Sequence, residues 1–427
     1  MSGVTQSSPS QTTLERRLGL GDAVFIGLGS MIGAGVFAAY GPAAHAAGTG
    51  LLVGLAVAAV VAYCNATASA QLAAAYPRAG GTYLYGREVL GDWWGYLAGW
   101  GFMVGKIASC AAMALTFAAY VAPEGWLRPV GAAVVVVLAL VNCAGVTRTA
   151  LLTRVLVSLV LVSLVVASVA CFRGGSSSGL ADWWDPTHGL YGVLQSAGLL
   201  FFAFAGYARI ATLGEEVREP ERVIPRAIVL ALAGAVVVYA VVAVAVLSVL
   251  GASGTAASSA PVADAVRATS GSWAVGVVRV GAALASAGAL LALIAGLGRT
   301  GLAMARERDL PGWLDAVHPR FRVPHRAELS VAAIVVVLVL TTDLRGAIGF
   351  SSFGVLFYYF VANAAAYRQA SSQRRFPRWL QVLGAAGCLI LVVSLPWQAV
   401  LAGVAVFLIG IAVRTLRLRV ERSRIVR

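Results

Sequence analysis

The sequence contains a single lysine, Lys106, in the middle of the long apolar stretch "GFMVGKIASCAAM". Residues 93–121 predict one helix, and from Lys106 either end of that helix is about 20 Å away. A lysine side chain cannot reach that far, so its ammonium group must be paired, face a wet cavity or lose its proton. Lys106 is therefore a candidate for holding or transferring charge. The alternative is a structural lysine that donates to carbonyl groups of neighbouring helices.

A second candidate is the glycine-rich segment "GLGSMIGAGVF", residues 27–37. Each glycine costs a helix interior roughly 1 kcal/mol relative to alanine, so this helix is weakest at its middle. We interpret the segment as a discontinuous helix whose free N–H and C=O groups bind a ligand. Close helix packing through the Gly29–Gly33 pair is the alternative. A dinucleotide loop is disfavoured, because such a loop needs a preceding strand and GxGxxG spacing.

Two further polar residues in apolar stretches are weaker candidates. Arg209 lies about one turn from a helix end, where it could snorkel or pair with Glu215 or Glu216. Ser286 could serve as a hydroxyl ligand, although serine is common in packing between membrane helices.

The charges alternate in sign along residues 215–226. This pattern is typical of a solvated loop. A functional alternative is a gate whose ion pairs form with Arg78, with Arg87 or with the loop after the eighth apolar stretch.

The elements that position these residues are membrane helices. The chain has 427 residues, of which 59% are hydrophobic and 12% charged, and its mean hydropathy is +0.84. Only helices or closed barrels satisfy backbone groups in lipid, and no short alternating strands are visible. The sequence therefore predicts an all-α polytopic membrane protein with twelve spans: 21–46, 51–75, 93–121, 129–147, 155–172, 189–213, 226–250, 273–298, 327–342, 346–367, 379–395 and 397–413.

Arginine placement predicts the orientation. Most arginines fall in segments on one face, including both tails, so both termini are expected in the cytoplasm. The net charge of +14 then reflects topology and contact with anionic lipid rather than nucleic acid. The histidines and cysteines show no metal-site or catalytic spacing, so we predict a carrier without cofactors and not an enzyme. An ion channel would need a filter loop or rings of charge along a pore, and neither is visible in the sequence.

The sixth span should match the first if the fold contains inverted repeats. It reads "LLFFAFAGYARIATLGEEV", with Gly206 in an aromatic-rich centre. Two weak points in corresponding helices predict one paired binding site.

Four motifs carry a family resemblance: "GSMIGAGVF", "AAAYPRAGGTYLYGREVLGDWWGYLAGW", "FFAFAGYARIATLGEEVREPERVIPRAI" and "AMARERDLPGWLDAVHPRFRVP". In this combination and order, the sequence resembles the amino acid–polyamine–organocation transporters, in their cationic amino acid transporter-like branch. The resemblance covers residues 19 to 326.

The resemblance implies the leucine-transporter-type fold, with broken helices 1 and 6 and transport by alternating access. The first inverted repeat would be 19–172 and the second 186–368, followed by two helices in 378–413. Residues 1–18 and 414–427 would be cytoplasmic tails, and 78–91 a cytoplasmic surface helix. The expected setting is a bacterial cell membrane, crossed many times.

The resemblance also implies where an amino acid binds. The carboxylate would meet backbone N–H groups of Ala34 and Gly35, with Gly33 adjacent. The α-ammonium group would meet carbonyl groups of both broken helices, and two aromatic side chains would shape or gate the pocket. The carbonyl residues are Met31, Ile32, Phe202, Ala203 and Ala205, and the aromatic residues are Phe204 and Tyr207.

Ion coupling departs from the family pattern. Proton-coupled members of this branch carry a lysine on the fifth span, where this sequence has Val160. We therefore expect Lys106 to supply the cation from the third span instead. No carboxylate lies in the middle of a span, so a cationic side chain would lack a partner, and a neutral amino acid is favoured. Proton symport, exchange, uniport, a cationic amino acid or polyamine substrate, a non-transporting sensor and the oligomeric state stay open.

Overall fold

The protein is all-helical over the residues that its computed structural model describes, which are 18–77, 80–145, 150–175, 189–214, 216–269 and 271–425. An isolated β-bridge between Leu18 and Val217 is the one extended pairing in these ranges. The α-helices in chain order are α1 (Leu20–Met31), α2 (Ala34–Ala38), α3 (Tyr40–Ala47), α4 (Leu51–Ala75), α5 (Gly81–Leu90), α6 (Asp92–Val121), α7 (Leu127–Cys143), α8 (Ala150–Gly174), α9 (Gly189–Phe204), α10 (Ala208–Ala211), α11 (Pro220–Ala257), α12 (Pro261–Ala268), α13 (Ser272–Arg306), α14 (His325–Thr341), α15 (Leu344–Arg368), α16 (Arg378–Ser394) and α17 (Trp397–Ile425).

Nine helical stretches within the described ranges are long and apolar enough to cross a membrane. The chain is therefore a polytopic helical membrane protein. The fourth, ninth and eleventh predicted spans coincide with α7, α14 and α16, each of 17 residues. That length is at the lower limit for a span, so the count of twelve stays a prediction.

The first predicted span is broken where the glycines cluster. Helix α1 ends at Met31, and α2 begins at Ala34. Ile32 (φ −78°, ψ 57°) and Gly33 (φ −105°, ψ −133°) have non-helical dihedral angles. Ala39 between α2 and α3 is helical (φ −73°, ψ −21°), so residues 34–47 form one continuous helical run. The interruption is thus two residues long, shorter than the glycine segment itself.

The sixth predicted span tightens instead of unwinding. Helix α9 ends at Phe204, a 3-10 turn follows over Ala205–Tyr207, and α10 is a single turn. Phe204 and Tyr207, which flank the turn's centre, keep right-handed helical dihedral angles. The weak point predicted at Gly206 is therefore present, in a milder form than in the first span.

Two groups of helices carry the core. Helices α1, α3, α4, α9 and α11 pack on one another around one buried apolar cluster. Helices α6, α7, α13 and α14 pack around a second cluster, and α15 lies against α6. Helix α8 contacts both α1 and α13, which places it between the two groups.

The surface elements agree in part with the sequence predictions. The surface helix expected over 78–91 is α5. Helix α17 continues through Ile425, past the boundary predicted at 414, and Arg414 is buried beside Asp309. The cytoplasmic placement of residues 414–427 stays a prediction. Residues 1–17, Arg78 and Glu215 lie outside the described part of the chain.

Candidate functional site

The two interruptions touch each other at two glycines. A Cβ atom on Gly206 would lie 2.2 Å from the carbonyl oxygen of Ser30 and 2.6 Å from the nitrogen of Met31. A Cβ atom on Gly35 would lie 2.6 Å from the Cα atom of Ala203. Atoms cannot approach that closely, so both positions require glycine for this contact. The break in the first span and the 3-10 turn of the sixth are thereby held side by side.

The two glycines of the segment that lie within α1, Gly27 and Gly29, serve packing against other helices. A Cβ atom on Gly27 would meet the side chain of Ile210 at 2.3 Å, and one on Gly29 would meet Val157 at 2.6 Å. The two interpretations of the segment, packing and interruption, thus apply to different glycines.

The hydroxyl group of Tyr239 connects the ends of α1 and α9, the two helices that precede the interruptions. It lies 2.6 Å from the carbonyl oxygen of Met31 and 2.8 Å from that of Ala203. A hydroxyl group has one proton, so it donates to one of these carbonyls at a time. The Tyr40 hydroxyl group donates to the carbonyl of Tyr239 at 2.9 Å. Sequence reasoning missed Tyr239, although one tyrosine in the aliphatic run "AVVVYAVVAVAV" was a usable signal.

Lys106 is buried and donates to the site. Its Nζ atom lies 3.1 Å from the carbonyl oxygen of Ala205, in the 3-10 turn. The Tyr359 hydroxyl group lies 3.4 Å from the same oxygen. The described residues supply no carboxylate within ion-pair distance of Lys106. The lysine therefore contacts one of the carbonyls predicted to bind substrate.

A cavity of about 350 Å³ opens beside this contact. It reaches from Lys106 to the helix ends near Leu18 and Glu216, and Val160 of α8 lines its wall. Helix α13 contributes a face of small residues, which leaves the space open. The lining residues are Leu18, Ile26, Gly29, Ser30, Ile32, Phe102, Lys106, Met113, Thr153, Leu156, Val157, Val160, Ala205, Gly206, Ala208, Arg209, Thr212, Leu213, Glu216, Leu284, Ala285, Gly288, Ala289, Ala292, Leu293, Gly296 and Thr300.

The structure brings only part of the predicted site to the cavity wall. Ile32, Ala205, Lys106 and Arg209 line it. The other predicted residues are buried behind the wall or beside it: Met31, Gly33, Ala34, Gly35, Phe202, Ala203, Phe204, Tyr207 and Ser286.

The predicted aromatic residues pack against tyrosines instead of lining the cavity. Phe204 meets Tyr239 edge-on, with ring centroids 5.0 Å apart. Tyr207 stacks on Tyr359 at 4.9 Å. Their rings therefore pack inside the protein beside the interruptions, away from the cavity.

Among the described residues, two basic side chains and one carboxylate line the cavity. Lys106 and Arg209 are basic, and Glu216 lies at the end of the cavity near Leu18. The Arg209 guanidinium group donates to the Thr212 hydroxyl oxygen at 3.3 Å and forms no ion pair among the described residues. The Arg209–Glu216 pair, one of the alternatives considered for Arg209, is therefore absent there, and Glu215 lies outside those residues.

The loop over residues 216–226 does not pair with Arg87 in the structure. Arg87 instead lies 3.1 Å from Asp92, 3.3 Å from Glu307 and 3.5 Å from Asp309. Burial, and then the hydrogen bond to Asp309, raise the pKa of the neighbouring Tyr83. Arg87 thus pairs with its own neighbour Asp92 and with the loop after α13. The gate predicted between the loop over 215–226 and these elements stays a prediction, and Arg78 lies outside the described residues.

The loop itself is tied to the start of the described chain. The Leu18 N–H group donates to the Glu216 carbonyl oxygen at 3.0 Å, and the Arg218 N–H group donates to Leu18 at 2.9 Å. The end of the cavity therefore lies beside backbone hydrogen bonds that link this loop to the entry of α1.

Comparison with known proteins places these features in context. The profile of the family described as amino acid permease matches residues 18–415. An uncharacterized transporter of Mycobacterium bovis is 58% identical over 410 residues, covering 96% of this chain and 93% of that protein. The branched-chain amino acid permease BcaP of Bacillus subtilis is 24% identical over 442 residues, covering 95% and 94%. Cationic amino acid transporter 6, chloroplastic, of Arabidopsis thaliana is 28% identical over 385 residues, covering 83% and 66%.

Proposed function

This chain belongs to the amino acid permease family, and we propose that it carries neutral amino acids across the cell membrane by alternating access. One observation carries the proposal. The two helix interruptions meet at Gly206 and Gly35 beside a cavity of about 350 Å³, a volume within the range of small-molecule sites.

The substrate would bind where backbone groups are free to accept it. Helix geometry leaves the first N–H groups of the run 34–47 without intrahelical acceptors, and these include Ala34 and Gly35. Both residues are buried beside the cavity wall, two and three positions after the lining residue Ile32. The positive end of that helix favours the substrate carboxylate. The α-ammonium group would bind carbonyl groups of Ile32 and Ala205, which lie on the cavity wall. Since Lys106 already donates to Ala205, substrate and lysine would compete for or share that oxygen.

The charge distribution supports a neutral side chain. A cationic side chain in the cavity would meet Lys106 and Arg209, and among the described residues the only lining carboxylate is Glu216, near Leu18. Like charges in surroundings of low dielectric repel strongly. The similarity to a branched-chain permease agrees with this choice.

A cationic amino acid is the second candidate. The similarity to a cationic amino acid transporter favours it, and Glu216 on the cavity wall could accept a substrate cation. Competition among substrates distinguishes the two candidates.

We further propose that Lys106 couples transport to protons. The family position for the coupling lysine is Val160 here, and Val160 and Lys106 line the same cavity. A lysine can change its protonation state in such surroundings, which an arginine cannot do. Lys106, on α6, would therefore supply the positive charge that is missing at Val160 on α8.

The arrangement in the membrane is part of the same proposal. Twelve spans would form two inverted repeats, 19–172 and 186–368, followed by two helices in 378–413. Both termini would be cytoplasmic. The cavity end near Leu18 and Glu216 would then face the cytoplasm.

The test is uptake of radiolabelled amino acids into proteoliposomes, with and without an inward proton gradient. Gradient-driven accumulation of leucine or alanine supports a neutral amino acid–proton symporter. Uptake only into preloaded vesicles, indifferent to pH, would mean an exchanger. Preferential accumulation of arginine would overturn the neutral substrate, and binding without flux would indicate a sensor.

A further inference from the structure

A groove of about 580 Å³ lies between the start of α6, the end of α15 and residues 381–389 of α16. Val382, Ala386 and Leu389 follow one another at helical spacing along α16 and form one side of it. Val382 and Leu389 are exposed, at 55% and 47%. From Val382 to Leu389 the wall runs about 10 Å along the helix, so the groove can take an extended apolar chain.

A buried amide side chain faces this groove without a partner. Gln381 is 1% exposed, lines the groove, and neither of its side-chain polar atoms forms a hydrogen bond with the described residues. The Oδ1 atom of Asn363, which also lines the groove, is likewise unpartnered among them. A buried polar group without a hydrogen bond costs about 1–3 kcal/mol. The groove therefore favours an occupant with polar atoms at the level of Gln381.

Arginines stand at one end of the groove. Arg368 lines it, and the Arg378 guanidinium group lies 5.2 Å from the ring centroid of the lining residue Tyr367. Neither arginine forms an ion pair with a carboxylate in the part of the chain that the structure describes. Arginine binds phosphate groups in a fork geometry that suits such a site.

We propose that this groove is a binding site for one anionic phospholipid. An acyl chain lies along Val382, Ala386 and Leu389, an ester carbonyl accepts from Gln381, and the phosphate binds Arg368 and Arg378. Along the groove, the apolar wall, Gln381 and the two arginines follow one another in the order of the acyl chain, the ester group and the phosphate of a phospholipid. A helix of a second copy would satisfy the apolar wall but would leave both arginines and the amide unpaired.

The experiment is native mass spectrometry of the purified protein in detergent, with phosphatidylglycerol or phosphatidylcholine added at matched concentrations. The wild-type protein should retain one phosphatidylglycerol with several-fold higher occupancy than phosphatidylcholine. Arg368→Gln and Arg378→Gln should each lower phosphatidylglycerol binding by about fivefold. Ala386→Trp, which fills the groove, should lower retention of both lipids.

Arg226→Gln is the matched control, since it removes an exposed arginine that does not line the groove. It should leave lipid retention unchanged. Equal retention of the two lipids by wild type, or unchanged retention in both groove-arginine variants, would overturn the proposal. A shift from dimer to monomer in Ala386→Trp without lipid loss would assign the groove to a second copy instead.

Discussion

Substituting alanine for Gly206 should damage substrate binding far more than an ordinary glycine-to-alanine change in a helix. The added Cβ atom would lie 2.2 Å from the Ser30 carbonyl oxygen and 2.6 Å from the Met31 nitrogen. Separating such atoms to about 3.4 Å requires the two interruptions to move apart by roughly 1 Å, and overpacking of this kind costs about 1–3 kcal/mol. If that cost falls on the bound state, the affinity for substrate decreases by about 5-fold to 150-fold.

The assay is leucine uptake into proteoliposomes, with KM and maximal rate measured beside the thermal unfolding midpoint. Gly206→Ala should raise KM strongly in protein that still folds. Gly35→Ala should act similarly, because its Cβ atom would lie 2.6 Å from Ala203. Gly276→Ala is the control, since a Cβ atom there meets nothing within 4 Å. Folded Gly206→Ala and Gly35→Ala proteins with wild-type KM would refute the placement of the site.

Three other substitutions test separate parts of the site. Lys106→Met should lower gradient-driven accumulation about tenfold or more and flatten the pH profile of uptake. Full gradient-driven uptake by this variant would contradict the role of Lys106 in coupling. Tyr239→Phe removes the donor between two carbonyls and should raise the leucine KM by roughly tenfold, whereas the exposed Tyr63→Phe should not. Arg209→Gln removes one cation, whose repulsion of a substrate cation is about 1.7 kcal/mol at roughly 10 Å and an effective dielectric constant near 20. Arginine should then compete with leucine roughly tenfold better, and unchanged competition would argue against electrostatic exclusion.

Helix positions followed from the sequence because lipid imposes length and apolarity on every span. The helix over residues 93–121 was predicted closely, and α6 extends that range by one residue. The broken first helix also followed, since clustered glycines weaken a helix locally. The exact interruption, Ile32 and Gly33, did not follow, because it lies among contacts with the sixth span, such as that of Gly206 with Ser30 and Met31, which the sequence does not show.

The candidate site was harder to predict than the helices. Lys106 was identified because a cation in an apolar stretch is costly, and its partner Ala205 was among the predicted residues. The roles of Tyr239 and Tyr359 depend on contacts between helices distant in sequence. The space beside Lys106 depends on small residues of α13, which resemble ordinary packing residues when only the sequence is known.

The most direct test of the account is whether the cavity itself carries the substrate. Ala289 lines it, and Ala289→Phe would fill the space beside Gly33. Radiolabelled leucine uptake should be saturable in wild-type proteoliposomes, should be inhibited by alanine and not by arginine, and should be lost in folded Ala289→Phe protein. Wild-type leucine uptake by that variant would contradict the central claim.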